Sequence, residues 1–63
     1  MARVPTYPDI ETARYADGQV FARWLLRSLR SGRIVARGSD REWWEDEARA
    51  LDDARLMAEA RAA

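Results

Sequence analysis

Residues 19–31 carry the clearest pattern of apolar and polar positions in the chain. Projected at about 100° per residue, their apolar side chains share one wide arc, and their arginines share the narrow sector that remains. Gly32 follows directly, at a position where a helix C-cap favours a residue that accepts positive φ. The pattern therefore predicts an Arg-faced amphipathic helix over residues 18–31. The apolar arc contains Val20, Phe21, Ala22, Trp24, Leu25, Leu26 and Leu29, and the basic sector contains Arg23, Arg27 and Arg30.

The last third of the chain predicts a second and longer helix. Ser39 and Glu42 have the spacing of a capping box, in which each side chain accepts a hydrogen bond from the other residue's backbone amide. Residues of high helix propensity then continue almost to the C-terminus. We therefore expect a helix over residues 40–61. One apolar stripe runs along it, formed by Trp44, Ala48, Leu51, Ala54 and Ala58.

The N-terminal region predicts shorter elements. Two prolines favour extended backbone in residues 1–8, which we expect to form an arm. Asp9 can cap a short helix over residues 9–16. Asp17-Gly18 is a turn signal, although a glycine can also be tolerated within one longer helix. Whether the first two helices are separate or continuous therefore stays open.

Residues 33–37 follow a period of two, with Ile34 and Ala36 on one side, and this period indicates a short strand. The backbone of a strand needs hydrogen-bond partners, which the N-terminal arm or the same strand of a second copy would supply. The expected fold is a single small domain over residues 1–63. It is mainly α, with two or three helices and this short extended segment between the last two.

The size and composition of the chain limit the functions open to it. A chain of 63 residues buries only about 60% of its unfolded surface, so the core is small. The absence of Cys and His removes disulfides, thiolate ligands and the commonest general base. Self-association is the remaining source of extra stability.

No apolar run approaches the roughly 20 residues that span a bilayer, and the N-terminus lacks the apolar stretch of a secretory signal. We therefore expect a cytoplasmic protein without a membrane partner.

The net charge of zero conceals a division between the two halves of the chain. Residues 1–38 carry seven arginines and three acids, a net charge of +4, whereas residues 39–63 carry four arginines and eight acids, a net charge of −4. Such asymmetry can serve pairing within the chain, head-to-tail association or binding of a charged partner. Lys and Asn are absent, and because their codons are AT-rich this indicates a GC-rich bacterial or phage genome.

The residue types present do not favour catalysis or a cofactor. The hydroxyl side chains have no His or Lys to activate them. The three glycines are dispersed rather than gathered in a phosphate-binding loop. The acidic cluster of residues 42–47 is explained by the preference of carboxylates for the first turn of a helix, and one helix offers too few converging oxygens for a hard cation. We therefore predict no catalytic residue, no cofactor and no metal site.

Two surfaces are candidates for binding a partner: an Arg face and an aromatic start to the last helix. Both residue types are enriched among those that dominate binding energy. Each surface also has a structural explanation, as a solvated helix face or as side chains that fill the core. Leu56, opposite the apolar stripe, is difficult to bury within one chain and suggests a contact with a partner or a second copy. The Arg face consists of Arg23, Arg27, Arg30, Arg33 and Arg37, and the aromatic anchors are Trp43 and Trp44.

These surfaces favour a non-catalytic module that binds another protein, of the kind that phages and mobile elements use as small regulators or inhibitors. A DNA-binding transcriptional regulator is the alternative, because residues 9–16 and 19–31 could form a helix-turn-helix. The zero net charge argues against it, since a basic domain is expected. A structural accessory subunit of a larger assembly is a third class. The sequence assigns the chain to no family and does not identify the partner.

Overall fold

The computed structural model describes residues 5–62, which form a three-stranded antiparallel sheet with one helix packed against it. In chain order the elements are β1 (Thr6–Arg14), β2 (Val20–Ser28), β3 (Ile34–Arg37) and α1 (Glu47–Ala62). The strand order is β1-β2-β3, so β2 is the central strand. The prediction of a mainly α domain is therefore wrong, as is the description of the chain as a small helical protein. Residues 1–4 of the predicted arm lie outside the described residues.

A tight turn at Asp17-Gly18 joins β1 to β2. The Gly18 N–H donates to the Tyr15 carbonyl at 2.9 Å, and the Tyr15 N–H donates to the Gln19 carbonyl at 2.9 Å. Gly18 has a φ of 86°, a conformation that glycine adopts without steric cost. These features make a three-residue hairpin loop with glycine in the last position. Of the two alternatives for Asp17-Gly18, the turn is therefore the one present, but it joins two strands and not two helices.

The short helix predicted over residues 9–16 is wrong, because this stretch belongs largely to β1. Residues 6–8 of the predicted arm belong to the same strand. All nine residues of β1 pair with β2, in a register that runs from Thr6↔Ser28 to Arg14↔Val20. The local cap that Asp9 could have provided is therefore overridden by pairing with the neighbouring strand.

The Arg-faced helix predicted over residues 18–31 is also wrong, because most of it forms β2. Arg23 and Arg27 stand four residues apart, which is close to the helical period of 3.6 and is also a multiple of the strand period of 2. Both conformations place these two arginines on one face, so their spacing does not distinguish a helix from a strand. The aromatic and β-branched content favours a strand, and the ladder with β1 satisfies its backbone groups.

The core lies between the sheet and α1. Ala22, Trp24 and Leu26 alternate along β2 on the side of the helix, and none of them is more than 6% exposed. The helix contributes Ala50 and Ala54, both fully buried, and these small side chains allow the helix to approach the sheet closely. The partly buried side chains packed around this cluster are those of Ala36, Leu51 and Ala58.

The strand predicted over residues 33–37 is present as β3. Its partner is β2, through pairs that include Leu26↔Ala36, and not the N-terminal arm or a second copy. The loop before β3 is closed by a 2.9 Å hydrogen bond from the Ser28 N–H to the Arg33 carbonyl, and Gly32 within it has a φ of 75°. Gly32 therefore serves a strand-to-strand loop and not a helix C-cap.

The helix α1 begins at Glu47, so the predicted start of the last helix at residue 40 is wrong. The capping-box contact of Ser39 is nevertheless made, since the Glu42 carboxylate accepts a hydrogen bond from the Ser39 N–H at 2.9 Å. The turn does not continue, because Trp44 and Ala22 exchange two backbone hydrogen bonds of 2.7 Å. Backbone that could have been helical is instead used to complete the edge of β2 beyond the end of β3.

Asp46 provides the cap of α1. Its Oδ1 accepts a hydrogen bond from the Ala48 N–H at 2.9 Å, as an N-cap side chain does for the first turn of a helix.

Within residues 5–62, no helix is long and apolar enough to cross a membrane.

Candidate partner-binding surface

The face of the sheet that points away from α1, which we call the outer face, combines aromatic and charged side chains. Directly paired residues of neighbouring strands share a face, so the register assigns its members. They are Tyr7, Asp9, Glu11 and Ala13 of β1, Phe21, Arg23, Leu25 and Arg27 of β2, and Arg37 of β3.

Arg23 is held in the middle of the outer face. Its Nε donates to the Glu11 carboxylate on the neighbouring strand, and its Nη1 lies 3.3 Å from Asp40 Oδ1. Its guanidinium carbon lies 4.5 Å from the centre of the Trp43 ring, a cation–π contact. Because the side chain is only 12% exposed, Arg23 orders the surface and presents little of its own charge to a partner.

Arg27 forms a second ordered pair on the same face. Its Nε donates to Asp9 Oδ2 at 2.7 Å, and its Nη1 donates to the Gly32 carbonyl at 2.9 Å. The hydrogen bond from Arg27 is the main reason that the pKa of the Asp9 carboxyl is lowered from 3.8, and the hydrogen bond from the Ile10 amide adds to the effect. The carboxylate is therefore held in its charged form.

Leu25 is fully buried although it lies on the face without a helix. It stands between Arg23 and Arg27 on β2 and opposite Asp9 on β1. Arginine side chains cover apolar surface with their methylene stems while their charged ends reach hydrogen-bond partners. The ion-paired arginines of the outer face therefore shield Leu25 from solvent.

The five arginines of the predicted Arg face do not form one surface. Three of them, Arg23, Arg27 and Arg37, share the outer face, where Arg37 is about half exposed and its Nη1 lies 3.7 Å from Glu11 Oε2. The other two, Arg30 and Arg33, are exposed in the loop between β2 and β3. The structure therefore divides the predicted face into an ordered group and an exposed loop pair.

The predicted aromatic anchors point to opposite sides of the sheet, because the backbone is extended where they stand. Trp43 lies over Arg23 on the outer face. Trp44 lies on the face of the sheet that faces α1. Its Nε1 donates to Asp53 Oδ2 at 2.7 Å, and the Arg49 guanidinium lies 4.6 Å from its ring centre. The two tryptophans therefore belong to different surfaces, and Trp44 remains 37% exposed.

Glu42 holds the loop that carries Trp43 against the sheet. Its two carboxylate oxygens accept hydrogen bonds from the Ser39 N–H at 2.9 Å and from Trp24 Nε1 at 2.8 Å. These hydrogen bonds, that of Ser39 first, lower the pKa of the Glu42 carboxyl from 4.5. The carboxylate therefore joins the loop to the buried indole of the core.

An aromatic pair extends the outer face toward the hairpin loop, and the sequence prediction missed it. The rings of Tyr15 and Phe21 meet edge to face at a centroid distance of 5.1 Å, and Tyr15 is 52% exposed. The turn at Asp17-Gly18 offered a usable signal for another contact of this face, the pair of Glu11 and Arg23. In a hairpin, residues at equal distances from the turn are paired, and these two are equally distant from Asp17.

Leu56 lies apart from the outer face, on the side of α1 that faces away from the sheet. It is 63% exposed, so the expectation that it escapes burial within one chain is met. The same helix surface carries Arg49, Asp52, Arg55 and Glu59, which together with Leu56 and Asp53 line an open groove.

Across residues 5–62, no group of three or more acidic side chains is placed to hold a metal ion. No protein-family model, curated protein or solved structure matches the chain. The chemistry of the outer face is therefore the basis for proposing a function.

Proposed function

We propose that the chain is a non-catalytic module that binds another protein through the outer face of its sheet. The observation that carries the proposal is the combination of exposed Tyr15, Trp43 stacked on Arg23, and the ion-paired Arg27 and Arg37 on the face of the sheet opposite α1. Tyr, Trp and Arg are the residues most enriched in binding hot spots. Because their positions are fixed before binding, the entropic cost of ordering them at an interface is reduced.

The carboxylates on this face favour a protein over a nucleic acid. Asp9 and Glu11 lie among the arginines and neutralise Arg27 and Arg23. Phosphate groups approaching the sheet would meet these two acids, whereas a protein surface can place donors and apolar groups against them. An interface of mixed charge with aromatic side chains is typical of protein recognition.

Nucleic acid is a second candidate, in a form that differs from the predicted helix-turn-helix. The two segments that would form the helices of that motif, residues 9–16 and 19–31, belong largely to β1 and β2, so the motif is absent. Arg30 and Arg33 are nevertheless exposed in the loop between β2 and β3, where guanidinium groups could contact phosphates. The roles of phage-type inhibitor and structural subunit, and the cytoplasmic location, stay predictions.

Copurification from the native host with quantitative mass spectrometry tests the proposal. We expect a protein partner whose recovery falls at least tenfold for Tyr15→Ala and for Trp43→Ala, since hot-spot truncations cost about 2 kcal/mol or more. Met57→Ala, which shortens a partly exposed side chain on α1, is the matched control and should retain the partner. Circular dichroism on each variant establishes that the fold is kept.

The salt dependence of recovery separates the two candidates. Binding to a protein through aromatic side chains should change little between about 0.1 and 0.5 M salt, whereas binding to phosphates weakens steeply over this range. If the recovered material is nucleic acid, or if Tyr15→Ala and Trp43→Ala retain the partner as well as Met57→Ala does, the proposal is wrong.

A further inference from the structure

The surface of α1 that faces away from the sheet has a charge order that is complementary to itself. Taking buried Ala54 as the inward direction, Arg49, Asp52, Leu56 and Glu59 all project within about 40° of the opposite direction at 100° per residue. Their spacing of three, four and three residues is that of the contact positions in paired helices. We call these four residues the outward stripe.

In the outward stripe a positive residue stands near the start of the helix and a negative one near its end. Arg49 and Glu59 are ten residues apart, which corresponds to about 15 Å along a helix. If a second α1 runs antiparallel with its midpoint at residue 54, Arg49 of each copy meets Glu59 of the other. The same alignment places Leu56 of each copy opposite Asp52 of the other copy. The two Leu56 side chains then lie next to each other.

Contacts within the chain prepare this surface for such a partner. The stacking of Arg49 on Trp44 fixes the guanidinium at 4.6 Å from the ring centre while leaving its N–H groups free to donate. The open groove on this surface is lined by the four residues of the outward stripe together with Asp53 and Arg55, all of them from α1. A ridge of side chains from a second helix can enter such a groove.

We propose that two copies of this chain associate through the outward stripes of their α1 helices, arranged antiparallel about a two-fold axis. The inference does not depend on the proposed function, because it uses the opposite side of the molecule. Both outer faces remain uncovered in the dimer and point in opposite directions. A partner with two sites would then be bound with the gain in affinity that comes from two linked contacts.

The expected dimer is weak, because two helices of this length bury less than the roughly 1,200 Å² typical of stable interfaces. Sedimentation equilibrium of the full chain between about 10 μM and 1 mM should therefore show a concentration-dependent mixture of monomer and dimer. A chain that stays monomeric up to 1 mM would overturn the proposal.

Charge exchange gives the sharper test. We expect R49E and E59R each to lower the association constant at least tenfold, because each variant opposes like charges at both ends of the interface. The double variant R49E/E59R exchanges the charges and should recover association to within about threefold of the natural chain.

The matched control is R41E/E45R, which makes the same two changes at exposed positions outside the helix and should leave association unchanged. Failure of the double variant to recover while both single variants lose association would contradict the antiparallel alignment. Loss of association in Trp43→Ala, with R49E unaffected, would place the contact on the outer face instead.

Discussion

At the scale of single residues, Gly38 is a glycine because of what lies next to it and not because of its backbone conformation. A Cβ atom at this position would lie 2.9 Å from Trp24 Nε1 and 3.1 Å from Trp24 Cδ1. Trp24 is buried in the core and its Nε1 donates to Glu42. The indole therefore cannot move aside without loss of packing and of a hydrogen bond.

We expect Gly38→Ala to lower the free energy of unfolding by about 1–3 kcal/mol, the usual cost of overpacking. Urea denaturation measures the loss, and the NMR resonance of the Trp24 indole N–H should shift. Gly32→Ala is the comparison, since its cost comes from a φ of 75° with open space around the site. It should destabilise the chain without moving that resonance. An unshifted Trp24 resonance in Gly38→Ala would contradict this explanation.

Glu42 makes the stability of the fold depend on pH in the acidic range. Its pKa in the folded chain is lowered from 4.5, so the unfolded chain binds the proton more readily. The stabilisation is therefore present in full well above pH 4.5 and is lost as pH falls from there through the folded pKa. Asp9, whose pKa is also lowered, contributes with the same sign.

Glu42→Gln should reduce stability at neutral pH and flatten its decline between about pH 6 and pH 3. The amide keeps one acceptor but cannot offer a charged oxygen to both the Ser39 amide and the Trp24 indole. Denaturant unfolding at several pH values measures the slope. Glu45→Gln, at an exposed position of the same segment, is the control and should follow the natural chain. Equal slopes for both variants would show that Glu42 is not the group responsible.

At the scale of elements, the two edges of the sheet are protected against further strands. Alternate residues of an antiparallel strand direct their N–H and C=O groups to the same neighbour. The Pro5 carbonyl accepts a hydrogen bond from the Leu29 N–H, and the Tyr15 N–H donates to the Gln19 carbonyl, both at the ends of β2. The odd-numbered residues of β1 therefore direct their backbone groups to β2, and the even-numbered residues direct theirs to the free edge. Pro8 has no N–H to offer there, and the Ile10 N–H is taken by Asp9 Oδ1 at 2.8 Å. The opposite edge, β3, is short and has an irregular register, which also discourages pairing.

Pro8→Val should therefore promote association through the β1 edge, because it restores a backbone donor in a strand of high β-propensity. Size-exclusion chromatography and thioflavin fluorescence at equal concentrations measure the effect. Thr12→Val is the matched control, since it adds the same side chain at the same edge without adding a donor. If both variants behave alike, the proline does not protect the edge.

The start of α1 gives a direct test of which cap the helix uses. Asp46→Ala should cost about 1 kcal/mol of unfolding free energy, because it removes the acceptor for the Ala48 amide. Ser39→Ala should cost less, since no helix begins at that position. Denaturant unfolding followed by far-UV circular dichroism compares the two. A larger loss for Ser39→Ala would favour the start that the capping box predicted.

At the scale of the whole molecule, the fold consists of two layers that depend on each other. The helix covers Ala22, Trp24 and Leu26, and the sheet in turn buries Ala50 and Ala54. A three-stranded sheet with these side chains exposed would lose the hydrophobic burial that opposes its conformational entropy. The charged outer face contributes only Leu25 as a fully buried apolar side chain.

A chain ending at Asp46, which lacks α1, should therefore be unfolded in water. The loss of dispersed amide resonances in its NMR spectrum would demonstrate this, with the full chain as the reference. A well-dispersed spectrum for the shortened chain would mean that the sheet is stable alone and that the core described above is not required.

Features that depend on near neighbours along the chain are predictable from the sequence. The turn at Asp17-Gly18, the short strand before Gly38, and helical structure in the last residues follow from local steric and capping preferences, and each is present. Candidate binding residues could be chosen by type, since Arg and Trp are recognised as hot-spot residues without a structure. The absence of His and Cys likewise limited the available chemistry.

Whether residues 19–31 form a helix or a strand depends instead on contacts with residues that are distant in the sequence. Arginines four residues apart share a face in both conformations, and the deciding energy comes from backbone pairing with β1, which is distant in sequence. The same long-range effect moves the start of the last helix from residue 40 to Glu47, because two hydrogen bonds between Trp44 and Ala22 replace a helical turn. It also separated Trp43 from Trp44, because an extended backbone directs adjacent side chains to opposite faces.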